Sequence, residues 1–239
     1  MTVVGVNYSI APEFQYPLPL KQVNDAIKYL LNNALGLHID VTKLALAGDS
    51  AGSQIAAQMA TLFTNSSYKD DILAGTGFDI GELAIKPEDN INNIKGIVLC
   101  CGGFNLKSIV ESPEYIEARG NFPDFKHFVN TVTTVYSGYL NPVTRQEFDT
   151  FSVANYVTEK FPPSFITVGG ADSLKPQSEE LRDKLNSLGV ETDTFFPIIQ
   201  PLTYPSKTDL EHEYQFNLDT AAGQEALNRI VTFLKEKLS

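Results

Sequence analysis

Apolar residues along the chain follow two alternating rhythms. Five short runs rich in Val, Ile, Leu, Phe and Thr, bounded by Gly, Pro or Asp, predict strands at 2–9, 43–47, 94–101, 164–169 and 191–197. Between several of them the spacing changes to i, i+3, i+4, which predicts helices. Leu20, Val23, Ile27, Leu30, Leu31 and Ala34 make one such stripe, and Ile55, Met59, Leu62 and Phe63 a second. Leu181, Leu185 and Leu188 make a third that stops at Gly189, a suitable C′ residue. Leu227, Ile230, Val231, Leu234 and Leu238 form the last. Strand and helix alternate, so the expected fold class is α/β, a mainly parallel sheet with helices on both faces.

Two stretches interrupt this rhythm. Residues 65–93 are polar and rich in Gly, Asp and Asn, which predicts a surface excursion. Residues 104–152 are longer than a crossover needs and dense in aromatics. Within them Phe125, Phe128, Val132, Tyr136 and Tyr139 fall at helical spacing. Such a stripe fits a packed core face; it also fits a cap over the C-terminal end of the sheet, where open α/β sheets bind ligands. Phe104, Phe125 and Tyr139 are the candidate pocket residues of that cap. The expected organisation is a single domain over 1–239 with 104–152 inserted as the cap.

The chain has 239 residues, a formal net charge of −11 and a 43% hydrophobic content, which fits one soluble core. An acidic chain without a Lys/Arg-rich run argues against nucleic acid or an anionic membrane as partner. No apolar run is long enough to span a bilayer and no secretory signal opens the sequence, so a cytoplasmic location is expected. The two cysteines, Cys100 and Cys101, are adjacent and end an apolar run, which predicts buried thiols. No CxxC or HExxH pattern occurs, so neither a metal nor another cofactor is expected.

One motif carries chemistry. Gly48-Asp49-Ser50-Ala51-Gly52 has the form G-x-S-x-G, follows the apolar run Leu44–Ala47 and opens the helical stripe from Ser53 to Thr64. Composition alone predicts roughly 0.07 such matches, and the strand–turn–helix setting is that of a nucleophile elbow. There a serine projects above the sheet from a strained turn, and its neighbours two residues either side are small because strand and helix backbones pass close. A serine needs a base to take its proton, and the base needs an orienting acid. Of His38, His127 and His212, only His212 lies late enough for the chain order Ser, acid, His. Asp172, just past the run Phe165–Val168, is the acid that this order selects; Asp209 and Glu211 do not follow a strand end. The N-terminus of the helix after the serine lends its positive dipole end to a developing oxyanion.

These pieces resemble the hormone-sensitive-lipase-like carboxylesterases of the α/β-hydrolase fold. The resemblance rests on Tyr8-Ser-Ile-Ala11-Pro12-Glu13, on Gly48–Gly52, on Gly169-Gly-Ala-Asp172-Ser-Leu174 and on the position of His212. It implies a Ser50–His212–Asp172 triad, with the Ala51 backbone N–H as one oxyanion donor, acting on a small carboxylic ester through an acyl-serine intermediate, with a small-molecule ester as partner. Three departures accompany it. Ser53 stands where the family usually has a second glycine, and Glu213 and Tyr214 stand where it usually has glycine and an aromatic. No His-Gly-Gly-Gly turn precedes Ala11, so the expectation is a chain that lacks the family's N-terminal oxyanion segment and is impaired as a catalyst. Two other readings stand beside this one: a non-catalytic binding protein on the same fold, and a peptidase or amide hydrolase.

Overall fold

A computed structural model describes residues 1–88, 94–111, 123–140, 145–200, 202–204 and 206–239. Four parallel strands form one sheet whose spatial order equals their chain order: β1 (Leu44–Asp49), β2 (Ile94–Cys100), β3 (Ser164–Thr167) and β4 (Thr192–Phe195). Parallel neighbours require a crossover each. α1 (Leu18–Asn32) and α2 (Ala34–Leu37) precede β1, and helices supply the crossovers, beginning with α3 (Ala51–Thr64) and α4 (Tyr68–Thr76) before β2. Then follow α5 (Leu106–Glu111) and α6 (Pro123–Ser137) before β3, α7 (Lys175–Ser187) before β4, and α8 (Ala221–Lys237) at the end.

β2 reads as a nearly unbroken apolar run because both of its faces are covered. Successive side chains of a strand point to opposite faces. Ile97 and Leu99 accordingly enter one apolar cluster with α1, α3, α4 and α7, while Val98 and Cys100 enter another with α8. Phe165 of β3 shares that second cluster, and its ring lies 5.8 Å from that of Phe233 on α8.

Three sequence expectations are corrected here. Residues 2–9 form no strand, and Met1, Val3, Val4 and Ile10 are exposed. A strand exists through its ladder, and the run at 2–9 enters none: β1 pairs only with β2 among the described residues, and its other edge carries no strand. The polar stretch 65–93 is not only a surface excursion, because Tyr68, Ile72, Ile80 and Ile85 are buried. Most of its large apolar residues point inward, Leu73 being exposed, and the Tyr68 hydroxyl donates to the Thr150 carbonyl at 2.6 Å. Residues 89–93 lie outside the described residues. In α6 the predicted stripe is not the buried face. Phe128 and Val132 are exposed, whereas Val129 and Thr133, one position on, are buried and Tyr136 packs on the main core. Polar Thr133 can sit inside because its hydroxyl donates to the Val129 carbonyl at 2.7 Å.

Candidate active site

Three strand ends meet at one edge of the sheet. β1 runs into Ser50, whose N–H donates to the Cys100 carbonyl at 2.9 Å, so the turn stays tied to β2. Ser50 sits at φ 51°, ψ −116°, a conformation that non-glycine residues rarely adopt, and α3 begins at the next residue. The turn is possible because Gly48 has no side chain. A Cβ there would lie 2.1 Å from the Gly52 carbonyl oxygen and 2.6 Å from the Ser53 nitrogen. Gly52 is different. A Cβ on it would meet nothing within 4 Å, so the sequence argument holds for the glycine two residues before the serine and not for the one two residues after. Gly48→Ala is therefore expected to lower Tm sharply, since backbone must move. Gly52→Ala is expected to hold or raise stability, by about 0.5–1 kcal/mol for replacing glycine in a helix. Thermal unfolding of the two variants checks the contrast, and equal losses would overturn it.

The second group comes from the end of β3. Residues 169–172 turn sharply, with the Asp172 N–H donating to the Gly169 carbonyl at 3.1 Å. Gly169 lets a later loop pass very close, since a Cβ there would lie 2.1 Å from the Leu210 carbonyl oxygen. That loop carries the third group, His212. The Ala171 N–H donates to the Leu210 carbonyl at 3.0 Å, and the buried Tyr214 hydroxyl hydrogen-bonds Thr167 on β3.

Ser50, His212 and Asp172, 162 and 40 residues apart in sequence, are thereby joined. Ser50 Oγ lies 2.9 Å from His212 Nε2, and His212 Nδ1 lies 2.8 Å from Asp172 Oδ2. The other Asp172 oxygen accepts the Leu174 N–H at 2.8 Å. A carboxylate accepts and does not donate, so Nδ1 carries the proton and Nε2 of neutral His212 has its lone pair toward the serine. The hydrogen bond to Asp172 raises the pKa of His212 above its ordinary 6.5; partial burial opposes this, and the charges of Asp172, Glu213 and Asp49 add to it. The Asp172 side chain is 1% exposed and that of His212 is 40% exposed, an acid held inside and a base that solutes can reach.

The Ala51 N–H is at the first turn of α3, where helix N–H groups have no intrahelical acceptor and the dipole is positive. His38 caps α2 in a left-handed conformation, and His127 is exposed on α6. Of the pocket candidates, Phe104 is fully buried in the main core and Tyr139 is 51% exposed with the Arg145 guanidinium 4.6 Å from its ring centre. The side chain of Phe125 lies outside the described residues.

Cys101 was not singled out as a site residue by the motifs, yet its sulfur lies beside the His212 and Asp172 ligand atoms, all within 4.8 Å of one another. Cysteine, histidine and aspartate are a donor set that metals take. Here each donor is already committed. Asp172 and His212 bond each other, and the Cys101 thiol donates to Asp49 Oδ1 at 3.2 Å. Burial, with the Asp49 charge, pushes that thiol's pKa well up, which keeps it protonated and a poor ligand. Cys100 is likewise free and buried, its thiol pushed up to about 12.

Comparison with known proteins adds to this geometry. The sequence pattern of a family described as alpha/beta hydrolase fold matches residues 1–196. A protein of Acanthamoeba polyphaga mimivirus named as an alpha/beta hydrolase is 23% identical over 235 residues, which are 91% of this chain and 58% of that protein. A carboxylesterase of Mycobacterium tuberculosis is 43% identical over 60 residues, 25% of this chain and 19% of its own. Among solved structures, a thermostable carboxylesterase from a metagenomic library superposes with a TM-score of 0.71 at 18% identity, covering 98% of this chain and 68% of that one. An esterase of the fungus Rhizomucor miehei gives 0.66 at 21%, covering 97% and 63%. The chain thus spans 58% of the mimivirus protein and less of the bacterial one, and the solved structures agree with it in fold. Among the described residues, no helix is long and apolar enough to cross a membrane.

Proposed function

We propose that this chain, which belongs to the α/β-hydrolase family, is a serine hydrolase that cleaves small carboxylic esters through an acyl-serine intermediate. The observation that carries the reading is the unbroken relay from the Ser50 hydroxyl through the His212 ring to the buried Asp172 carboxylate. His212 Nε2 takes the Ser50 proton as Oγ attacks the ester carbonyl. Asp172 holds the tautomer that makes this possible and stabilises the imidazolium that forms. The oxygen that becomes negative is placed toward the Ala51 N–H and the N-terminal end of α3. The imidazolium then gives its proton to the leaving alcohol. Water, activated by the same nitrogen, releases the acid and restores Ser50.

Ala51 is the one peptide donor identified among the described residues, and removal of a single donor costs other serine hydrolases about 10²–10³ in turnover. Slow turnover by the 239-residue chain is therefore part of the proposal. We assign residues 104–152 as the cap that shapes the acyl side. The relative named as a carboxylesterase supports an ester substrate.

The test is a panel of p-nitrophenyl esters of increasing acyl length with the matching anilides, run beside labelling by a fluorophosphonate. Ester turnover with a covalent adduct mapped to Ser50 is expected. An adduct without turnover of any ester would favour a binding protein that kept the relay. Preference for the anilides would favour an amide hydrolase.

A further inference from the structure

Two sets of contacts hold the loop that carries His212. The first runs to β3: the Ala171 N–H donates to the Leu210 carbonyl at 3.0 Å, and the Tyr214 hydroxyl hydrogen-bonds Thr167. These bonds place His212 against Asp172, which follows β3. Its distance from Ser50, on another strand, is a separate matter. The second set runs to the nucleophile elbow, and the ester-hydrolase reading leaves it unused. Gln215 lies three residues after His212, in the single 3₁₀ turn Tyr214–Phe216, and is 5% exposed. Its amide nitrogen donates to Asp49 Oδ1 at 2.5 Å. Asp49 is the last residue of β1 and the neighbour of Ser50. The Cys101 thiol, just past β2, donates to the same oxygen at 3.2 Å, and the Gln215 nitrogen lies 3.8 Å from its sulfur. One carboxylate oxygen thus joins β1, the end of β2 and the histidine loop.

The amide itself says which of its ends matters. Turned over, its oxygen would face the carboxylate, acceptor against acceptor, so the nitrogen belongs on Asp49. Gln215 Oε1 is then buried with no hydrogen-bond partner among the described residues. An unpaired buried carbonyl costs stability. A side chain that only filled space would be better served by an apolar residue of the same size. What the amide adds is the bond to Asp49, and bonds to carboxylates are among the stronger hydrogen bonds. We propose that Gln215 is a positioning residue for the hydrolysis: through Asp49 it ties the His212 loop to the elbow and fixes the 2.9 Å separation of His212 Nε2 and Ser50 Oγ. The tether is short. It runs one residue back from Ser50, across the Asp49–Gln215 bond, and three residues back along the chain to His212. Without it the loop keeps its bonds to β3 and Asp172 while the imidazole drifts from the serine.

The inference rests on the serine-hydrolase reading for its effect on turnover, so the experiment carries one readout that needs none. That readout is the rate at which a fluorophosphonate labels Ser50, which requires an activated serine but no ester cleavage. Gln215→Met keeps the volume and removes the donor. Gln215→Glu sets a second carboxylate against Asp49. Gln215→Glu combined with Asp49→Asn reverses the bond: the asparagine amide donates to the new carboxylate, and its carbonyl still accepts the Cys101 thiol. Labelling rate, Tm, and kcat and KM for p-nitrophenyl butyrate are measured at about pH 8. Each single variant is expected to lose about tenfold or more in kcat and in labelling rate, with KM within about twofold, as displacement of a catalytic group does. The paired variant should recover to within about threefold of wild type in both. A merely structural role would follow Tm and would not be restored by exchanging donor and acceptor. If Gln215→Met does not fold at the assay temperature, Gln215→Glu with and without Asp49→Asn decides the question alone. Wild-type kcat in folded Gln215→Met, or a paired variant no better than Gln215→Glu, would overturn the tether. Labelling that is slowed and then rescued, with no ester turnover in any variant, would keep the tether and remove the hydrolase reading instead.

Discussion

Ser50→Ala is expected to abolish ester turnover, with kcat reduced by about 10⁴–10⁶-fold as in other enzymes whose serine nucleophile is removed. The change deletes one atom. Alanine keeps the Cβ, so the strained backbone at φ 51° is neither relieved nor worsened, and no helix-cap hydrogen bond is lost because the Ser50 side chain makes none. What disappears is the oxygen 2.9 Å from His212 Nε2. Loss of function should therefore come without loss of fold: kcat falls to the background of the uncatalysed reaction while Tm moves by no more than a few degrees. The measurement is p-nitrophenyl butyrate hydrolysis beside thermal unfolding by circular dichroism. Residual turnover within tenfold of wild type would place the nucleophile elsewhere.

Asp172→Asn is expected to cost about 10⁴-fold in kcat, the size seen when the orienting acid of a serine protease is made an amide. The reason can be traced atom by atom. Asp172 Oδ1 accepts the Leu174 N–H and Oδ2 accepts from His212 Nδ1. An asparagine that keeps its carbonyl on Leu174 turns its NH₂ group toward the ring. Nδ1 must then be the acceptor, the proton moves to Nε2, and Nε2 can no longer take a proton from Ser50. The pH dependence shifts too. In wild type the base works only when neutral, and its pKa is raised chiefly by the Asp172 hydrogen bond, so the acid limb of kcat/KM should lie above the ordinary 6.5. Asp172→Asn removes that cause, and the limb should move to lower pH. Stability follows the same sign. The His212–Asp172 pair contributes fully below pH 6.5, and its contribution is lost as pH rises through the higher folded value. A limb that stays in place in Asp172→Asn would show that another group titrates.

The residues joined at the candidate site were legible because each follows from local sequence: a glycine-flanked serine after an apolar run, an aspartate just past another, and a histidine late in the chain. What was not legible depends on partners. The run Thr2–Ser9 has strand composition, yet a strand needs a neighbour with free backbone groups, and sequence does not say which neighbour is present. The face of α6 was misplaced by one residue because Phe128 and Val132 look more apolar than Thr133, whose hydroxyl is satisfied within its own helix. Tyr68 and Ile72 were hidden in a polar stretch whose average says surface although two side chains one helical turn apart say core. The hydrogen bond from the Gln215 amide to Asp49 joins residues 166 positions apart, and no periodicity announces it.

Because the strands lie side by side in the order in which they are made, the sheet can grow by docking each new strand on the one before it. A ribosome releases β1 and the elbow first, β3 and Asp172 more than a hundred residues later, and His212 only near the end. Until that last loop reaches the sheet edge, Ser50 is an ordinary alcohol with no base beside it. On the serine-hydrolase reading, a product cut short before residue 212 would carry Ser50 without its base.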